Sequence, residues 1–473
     1  MLRLLEKLPK LIRLFLCAGL VSVIAGAITA GTITVQWRGA LLQAASSPVV
    51  SPAVLSDASP QVSTESDPNW QPVPSQRADR GNIKVVWLQG TPYEMGYQHG
   101  RLLHDEIASM GREIINGLDI ASRGLGLARL ARRRTSPTVA EECQGLAAAT
   151  ADLGMTADSC MALAFGDVFQ EFFTTTLPGL LFNDGCAQFA AAGTATADGR
   201  LYHGGTLDND QRPIDYWIKN STVFVRQPND GIPHVFIGVP GMLWPNSGLN
   251  DAGISIALDT AHPENVRDLN LDQGGSNVQL MAEILRSAHS FEDAVKIFAS
   301  HPRMRANLIM VTDGNAKRAG VFELLGNTFA LRELDQNGIV YMTNHFVSPE
   351  LQGRDRQPQE PSSLIRYKRF AQLLEPDGAS SRYGEIDPEV MIEIMRDRTN
   401  PDTFEESPLS VYDDDASPGG NGSLRQVTFD PERRLFWIAA GEPPVPENPF
   451  VCFSLDELLN RSNPVRCPSA VID

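Results

Sequence analysis

The spacing of apolar and polar positions changes several times along the chain, and each change marks an element. From Leu14 to Trp37 no charged residue occurs, and Leu14-Phe15-Leu16 and Val21-Ser22-Val23-Ile24 make the run apolar and long enough to span a bilayer. Arg3, Lys7, Lys10 and Arg13 precede it, which predicts that the amino end stays inside and the rest is exported. Residues 1–43 therefore read as a signal anchor, with Ala25-Gly26-Ala27 as the best site for removal. The expectation is a domain anchored outside the cytoplasm, or secreted if the segment is cut away. Residues 44–80, rich in Ala, Ser, Pro and Val with no period, read as a flexible linker.

The folded part spans 81–473. Lys84-Val85-Val86-Trp87-Leu88 predicts a strand, and Thr91, Pro92 and Glu94 predict a capped helix start. Gly96 and Gly100, four apart on that helix, would let another element approach closely, and His99 reads as a packed structural histidine. Leu, Ala, Met and Phe recur at helical spacing over 107–130, 139–152 and 157–175, so 81–185 reads as a helical segment.

Beyond it the period shortens. Asp198-Gly199 is a hairpin signal between a strand after Cys186 and a return strand from Leu201 to Asp208. Strands are predicted at 217–226, 234–238, 254–258, 306–312, 318–325, 328–333 and 339–343, with a glycine-rich loop at 240–253. Helices are predicted at 277–288, 290–299 and 362–374, and a late hairpin at 426–430 and 435–440. Strands, helices and strands again point to an α+β protein of stacked antiparallel sheets.

Charge narrows the function. The formal net charge of −17 excludes the basic surface that nucleic acid requires. An exported domain can hold disulfides. Cys143 and Cys160 lie on neighbouring predicted helices, Cys452 and Cys467 close a short terminal loop, and these two pairings leave Cys186 as the odd thiol. Cys17 falls in the apolar segment, and no spacing of cysteines matches a zinc site.

Cys186 follows Gly185 in a turn-forming Asn183-Asp184-Gly185 setting, and the hairpin would return Asp208 to its side. A thiol at the start of a strand is placed to attack the preceding peptide bond. Removal of that bond would give Cys186 an α-amino group of suitable basicity to activate its own sulfur. The alternative is a small buried apolar residue, the commoner fate of a cysteine outside disulfides.

The chain resembles the cysteine-type N-terminal nucleophile hydrolases, in particular the acyl-coenzyme A:6-aminopenicillanic acid acyltransferase-like (peptidase C45) family. The matching pieces are Gly90 to Gly100, Asp184-Gly185-Cys186, Asp198-Gly199 through Asp208, and Gly238 to Gly253. Further pieces are Ala306-Asn307-Leu308 through Glu323, Thr343-Asn344-His345, Ser363 to Arg366, and Gly441-Glu442-Pro443. The resemblance implies an αββα sandwich and self-cleavage between Gly185 and Cys186, making 81–185 a pro-segment and 186–473 the mature catalytic chain. It implies that Asp208 orients the new amino group, that Asn250 donates to the oxyanion, and that Asn344 and Arg366 line the same site. It implies no metal or organic cofactor. Relatives often carry Gly-Arg-Asn where this chain has Gly204-Gly205-Thr206, so an arginine beside the thiolate is missing at Gly205.

The expectation is an amidase or acyltransferase acting on a small N-acyl or amide substrate through a thioester at Cys186, with the membrane reached through the amino-terminal helix. Two rivals stand beside it: a lipid-directed hydrolase similar to phospholipase B-like proteins or acid ceramidase, and a non-catalytic tethered binding protein on the same scaffold.

Overall fold

The computed structural model describes residues 70–111, 127–166, 185–208, 215–265, 268–270, 273–357, 359, 361–408, 416–420 and 422–473. The predicted membrane anchor and residues 44–69 of the predicted linker fall outside these residues. Residues 70–80 are no linker: Gln76–Arg77 pairs with Trp87 and Val86 as a strand, and Trp70 Nε1 donates to the Leu459 carbonyl at 2.7 Å, so the folded part begins before residue 81. Among the described residues no helix is long and apolar enough to cross a membrane.

The strands in chain order are β1 (Gln76–Arg77), β2 (Lys84–Gly90), β3 (Ala187–Gly193), β4 (Gly199–Asp208), β5 (Thr222–Pro228), β6 (His234–Gly238), β7 (Ser247–Asn250) and β8 (Ile254–Thr260). They continue as β9 (Asn307–Asp313), β10 (Arg318–Leu325), β11 (Thr328–Glu333), β12 (Ile339–Met342), β13 (Ser423–Asp430), β14 (Leu435–Ala439), β15 (Phe450–Ser454) and β16 (Val471–Ile472). They form a nine-stranded sheet, β1-β2-β5-β6-β7-β8-β9-β10-β11, and a seven-stranded sheet, β12-β3-β4-β13-β14-β15-β16. All pairings are antiparallel except β2 with β5. That exception has a physical reason: β2 precedes the helical segment and can return beside β5 only through a long crossover.

Side-chain alternation assigns the layers. Val85, Val223, Val235 and Leu249 of the first sheet meet Val427, Phe429, Phe436 and Phe453 of the second. Farther along the same interface, Leu308, Met310 and Val321 meet Ala190, Ala192 and Leu201. The opposite face of the first sheet, including Phe224, Ile256, Val311 and Phe322, is covered by helices α1 (Pro92–Leu102), α2 (Pro137–Ala149), α3 (Ala157–Leu163), α4 (Asn277–Ser287) and α5 (Phe291–Ser300). Phe189, Tyr202 and Trp437 on the outer face of the second sheet are covered by α6 (Pro361–Leu374) and α7 (Pro388–Arg396). The result is four layers: helices, sheet, sheet, helices.

The start of α1 carries the predicted box, with Thr91 capping Glu94 and Glu94 reaching back to the Thr91 N–H. α1 and α2 meet at glycine: a Cβ on Gly96 would lie 2.0 Å from the Glu142 carbonyl O, and one on Gly145 would lie 2.0 Å from that of Tyr93. α2 is also tied to β5 by the buried Arg226–Glu142 pair, with both N–O distances 2.6 Å. The expected disulfides are present, Cys143 with Cys160 and Cys452 with Cys467.

Four expectations need correction. The strand predicted over 217–226 begins at Thr222, because Asp215–Lys219 forms a short helix that carries Trp217. The helix predicted over 107–130 breaks. Described helix covers His104–Ser109 and Leu127–Arg134, and residues 112–126 lie outside the description. The helix predicted over 157–175 is described only to Leu163, and 167–184 are outside. The glycine-rich loop at 240–253 contains β7, whose Ser247-Gly248-Leu249-Asn250 sequence pairs with β6 throughout and with β8 as far as Leu249.

Candidate active site

β3 and β4 form the predicted hairpin, joined by residues 194–198, with Gly199 opening β4 opposite Gly193 at a φ of 72°. Ala187 pairs with Thr206, which sets Gly185 opposite Asp208 at the open end. The fit there is close: a Cβ on Gly185 would lie 2.7 Å from the Asp208 Cβ. Only glycine lets the chain enter Cys186 along this path. Cys186 is buried, lies outside both disulfides, and places Sγ 3.9 Å from the carbonyl O of Asp208.

The Asp208 carboxylate accepts from the Thr206 hydroxyl, which in turn lies 3.0 Å from Ser423 Oγ on β13. A carboxylate held this way has one oxygen oriented by hydroxyl groups of its own sheet.

α6 brings the guanidinium of Arg366 to the same place. Its Nη1 donates to the Cys186 carbonyl, Nη2 to Asn344 Oδ1 at 2.8 Å, and Nε to Ser362 Oγ at 3.0 Å. Asn344, after β12, donates from Nδ2 to the Thr260 carbonyl at 2.9 Å, and its backbone N–H donates to Ser363 Oγ at 2.8 Å. His345 Nδ1 lies 2.7 Å from the same hydroxyl. Burial, reinforced by the charges of Arg366 and Arg332, pushes the His345 imidazole down to about 4, so it is neutral. Gly185, Cys186, Asp208, Asn344 and Arg366 are thus one cluster.

Asn250 is set apart from it. Its side chain is fully buried, with Nδ2 donating to the carbonyls of Ala288 at 2.8 Å and Leu285 at 3.2 Å, and Oδ1 accepting from the Ile254 N–H at 2.9 Å. These bonds close the β7–β8 turn and hold the end of α4. Asn250 grips the first residue of β8, whereas Asn344 grips Thr260 at the last. Six residues of strand separate those two points by about 20 Å.

The sequence reading missed two further residues. Gln188 lies two positions after Cys186 on the same strand and so shares its inward face. Its Nε2 donates to Asp259 Oδ1 at 2.8 Å. Arg425 pairs with Leu207, and its buried guanidinium donates to the Gly238 carbonyl at 3.0 Å and Asn246 Oδ1 at 2.9 Å. Strand alternation could have found Gln188. Nothing local marks Arg425, whose neighbour on the next strand is set by long-range pairing.

Gln188, Gly205, Leu207, Asn246 and Arg425 line a hollow of about 20 Å³ between the sheets. A cavity of about 300 Å³ lies instead on the helical side of the first sheet, beside the Arg226–Glu142 pair. It is separated from Cys186 by that sheet. His99 lies on that side too, its Nε2 accepting from the Gly241 N–H at 2.9 Å, a structural role as expected. Among the described residues no group of His, Cys, Asp and Glu is placed to hold a metal ion.

A model of the acyl-coenzyme A:6-aminopenicillanic acid acyl-transferase family matches residues 209–444. A protein of Archaeoglobus fulgidus, described only as uncharacterized, is 25% identical over 360 residues, which cover 67% of this chain and 58% of that one. The matched region thus spans little more than half the length of this curated relative. Among solved structures, the Caenorhabditis elegans ortholog of N-acylethanolamine-hydrolyzing acid amidase is 14% identical, with a TM-score of 0.35 over 52% of this chain and 93% of that one. Penicillin V acylase from Agrobacterium tumefaciens is 14% identical, with a TM-score of 0.34 over 55% and 84%. A variant of conjugated bile acid hydrolase from Clostridium perfringens is 12% identical, with a TM-score of 0.37 over 57% and 93%. The family match runs from just past Asp208 through Asn344 and Arg366, so over residues 209–444 the chain is similar to the acyl-coenzyme A:6-aminopenicillanic acid acyl-transferase family.

Proposed function

We propose that this protein is an enzyme acting on linear amide bonds, as a hydrolase or an acyltransferase, with Cys186 as its nucleophile. The observation that carries the reading is the convergence on Cys186. A thiol outside the disulfides opens a strand, glycine packs it against Asp208, and Arg366 holds its carbonyl with Asn344 alongside.

Maturation begins when the Cys186 sulfur attacks the Gly185 carbonyl carbon. The peptide C–N bond breaks, the nitrogen takes the thiol proton, and water then hydrolyses the resulting thioester. This frees the α-amino group of Cys186 and the carboxyl of Gly185. In turnover the amino group takes the thiol proton and the sulfur attacks the substrate carbonyl. The leaving amine departs with that proton, and water or a second amine attacks the thioester to release the acyl group. Asp208 receives the charge of the protonated amino group, and Asn344 and Arg366 supply donors at the developing oxyanion. Asn250 is assigned to the β7–β8 turn and not to this site. The four-layer arrangement corresponds to the αββα sandwich, and the amino-terminal apolar segment would tether the catalytic part outside the cytoplasm.

The test is the mass and amino-terminal sequence of the purified protein beside Cys186→Ala. Wild type should yield a carboxyl-terminal fragment that begins at Cys186, and the variant should stay whole. If both stay whole and neither hydrolyses an amide, the reading fails.

A further inference from the structure

The hollow between the sheets holds two unsatisfied features that point to the same kind of ligand. The first is Arg425. It is 2% exposed, and its two contacts, with Gly238 and Asn246, are to neutral oxygens. Among the described residues no carboxylate forms an ion pair with it. Burial alone pulls its guanidinium down to about 9, as a cation without a nearby counter-charge requires. A buried cation of this kind is costly unless something anionic joins it.

The second feature is Gln188, 3% exposed. Asp259 accepts from its Nε2, which fixes the orientation of the amide, since a flip would set oxygen against carboxylate. Its Oε1 is buried with no hydrogen-bond donor. The Oε1 borders Gly205, where a Cβ would come within 1.8 Å of it. The missing side chain at Gly205 therefore leaves this acceptor in place at the wall of the hollow.

Both features sit beside the nucleophile. Gln188 is two residues along β3 from Cys186 on the same face. Arg425 is two strands across the sheet, with Leu207 between them, a separation of about 10 Å. The hollow of about 20 Å³ has room for roughly one water. Leu207, which lines the hollow and is only partly buried, stands on β4 between Cys186 and Arg425.

Resting on the amidase reading above, we infer that the amide presented to Cys186 is that of an N-acyl amino acid, with its carboxylate received by Arg425 and its amide N–H accepted by Gln188 Oε1. The acceptor and the cation match the amine half of such a molecule, in which N–H and carboxylate are separated by one carbon. An amide of a neutral amino alcohol offers the N–H but leaves the guanidinium without a counter-charge. The inference makes Arg425 the residue that discriminates between the two.

The experiment uses the full protein, N-decanoylglycine and N-decanoylethanolamine, with two readouts. One is kcat/KM for release of the amine. The other, independent of turnover, is protection of Cys186 from iodoacetamide. Wild type should favour the glycine conjugate at least tenfold in kcat/KM, and N-decanoylglycine should protect Cys186 at lower concentration than the ethanolamide. Arg425→Gln should lose the preference by about tenfold to a hundredfold, mainly through a raised KM for the glycine conjugate. Arg425→Lys should keep part of the preference, and it serves as the variant of record if Arg425→Gln does not fold. Equal use of both amides by wild type, or a preference untouched in the folded variant, overturns the inference and leaves the amidase reading standing. Protection by the glycine conjugate that Arg425→Gln abolishes, without turnover of either amide, supports the site and overturns the amidase reading.

Discussion

The two asparagines of the sequence reading make opposite predictions, and Asn250→Ala separates them. Asn250 makes three buried hydrogen bonds, to Ala288 at 2.8 Å, to Leu285 at 3.2 Å and from Ile254 at 2.9 Å. Alanine removes all three and leaves two carbonyls and one N–H buried without partners. At about 1–1.5 kcal/mol for each, the loss is about 3–5 kcal/mol of stability. The chemistry should be intact in the molecules that remain folded, because Asn250 lies about 20 Å along β8 from the cluster. Asn344→Ala should do the reverse. It removes a donor and the Arg366 acceptor beside Cys186, so kcat should fall by about two to three orders of magnitude, as for loss of an oxyanion donor. The assay is urea unfolding followed by tryptophan fluorescence, paired with kcat measured at low denaturant and corrected for the folded fraction. A fall of two to three orders in kcat for Asn250→Ala, with stability within about 1 kcal/mol of wild type, would refute the assignment of Asn250 to the turn.

Three further outcomes are expected. His99, His203 and His234 are buried, and burial pushes each imidazole down to about 3, whereas unfolded histidine titrates near 6.5. The folded state therefore binds fewer protons. Their contribution is complete above pH 6.5 and falls as pH drops towards 3, by about 1.4 kcal/mol each at pH 5.5, or about 4 kcal/mol together. Urea midpoints at pH 7.5 and 5.5 test this, and a stability that rises on acidification contradicts it. Replacing Cys452 and Cys467 together with serine opens a link of sequence separation 15 and should lower stability by about 3 kcal/mol while leaving the alkylation rate of Cys186 unchanged. Gly185→Ala pushes a methyl to 2.7 Å from the Asp208 Cβ, so appearance of the Cys186 amino terminus should slow markedly, as timed by mass spectrometry of fresh protein.

Much of the architecture was legible because local periodicity and turn chemistry agree with it. The Thr91-Pro92-Glu94 start and the Asp198-Gly199 hairpin are local signals that tertiary structure keeps. Trp217 misled because an apolar alternation was extended through Asp215–Lys219, where the chain makes one helical turn before β5. The helix at Pro388–Arg396 carries its own local start signal, with Asp387 as its cap and Pro388 at its first position. In the site, Cys186, Asp208, Asn344 and Arg366 come together as the resemblance implied. Asn250 does not: its glycine-rich setting reads as a loop, whereas it ends β7, paired with His234 of β6, and its side chain closes the turn to β8. Arg425 was invisible for a different reason: its neighbour is decided by β4 pairing with β13, more than two hundred residues away in sequence.

The single parallel pairing has a bearing on what kind of object the mature protein would be. β2 lies before the Gly185–Cys186 bond, yet it is inserted between β1 and β5 of the first sheet. Trp87 also donates to the Leu458 carbonyl near the far end of the chain, at 2.7 Å. The disulfides do not cross the bond: Cys143–Cys160 lies wholly before it and Cys452–Cys467 wholly after it. Scission would therefore turn one polypeptide into a heterodimer with no covalent link between its subunits. Their interface would be a strand ladder and a shared hydrophobic interior. Such subunits should migrate together in native electrophoresis and part in detergent without any reductant, and neither should persist alone as a folded species.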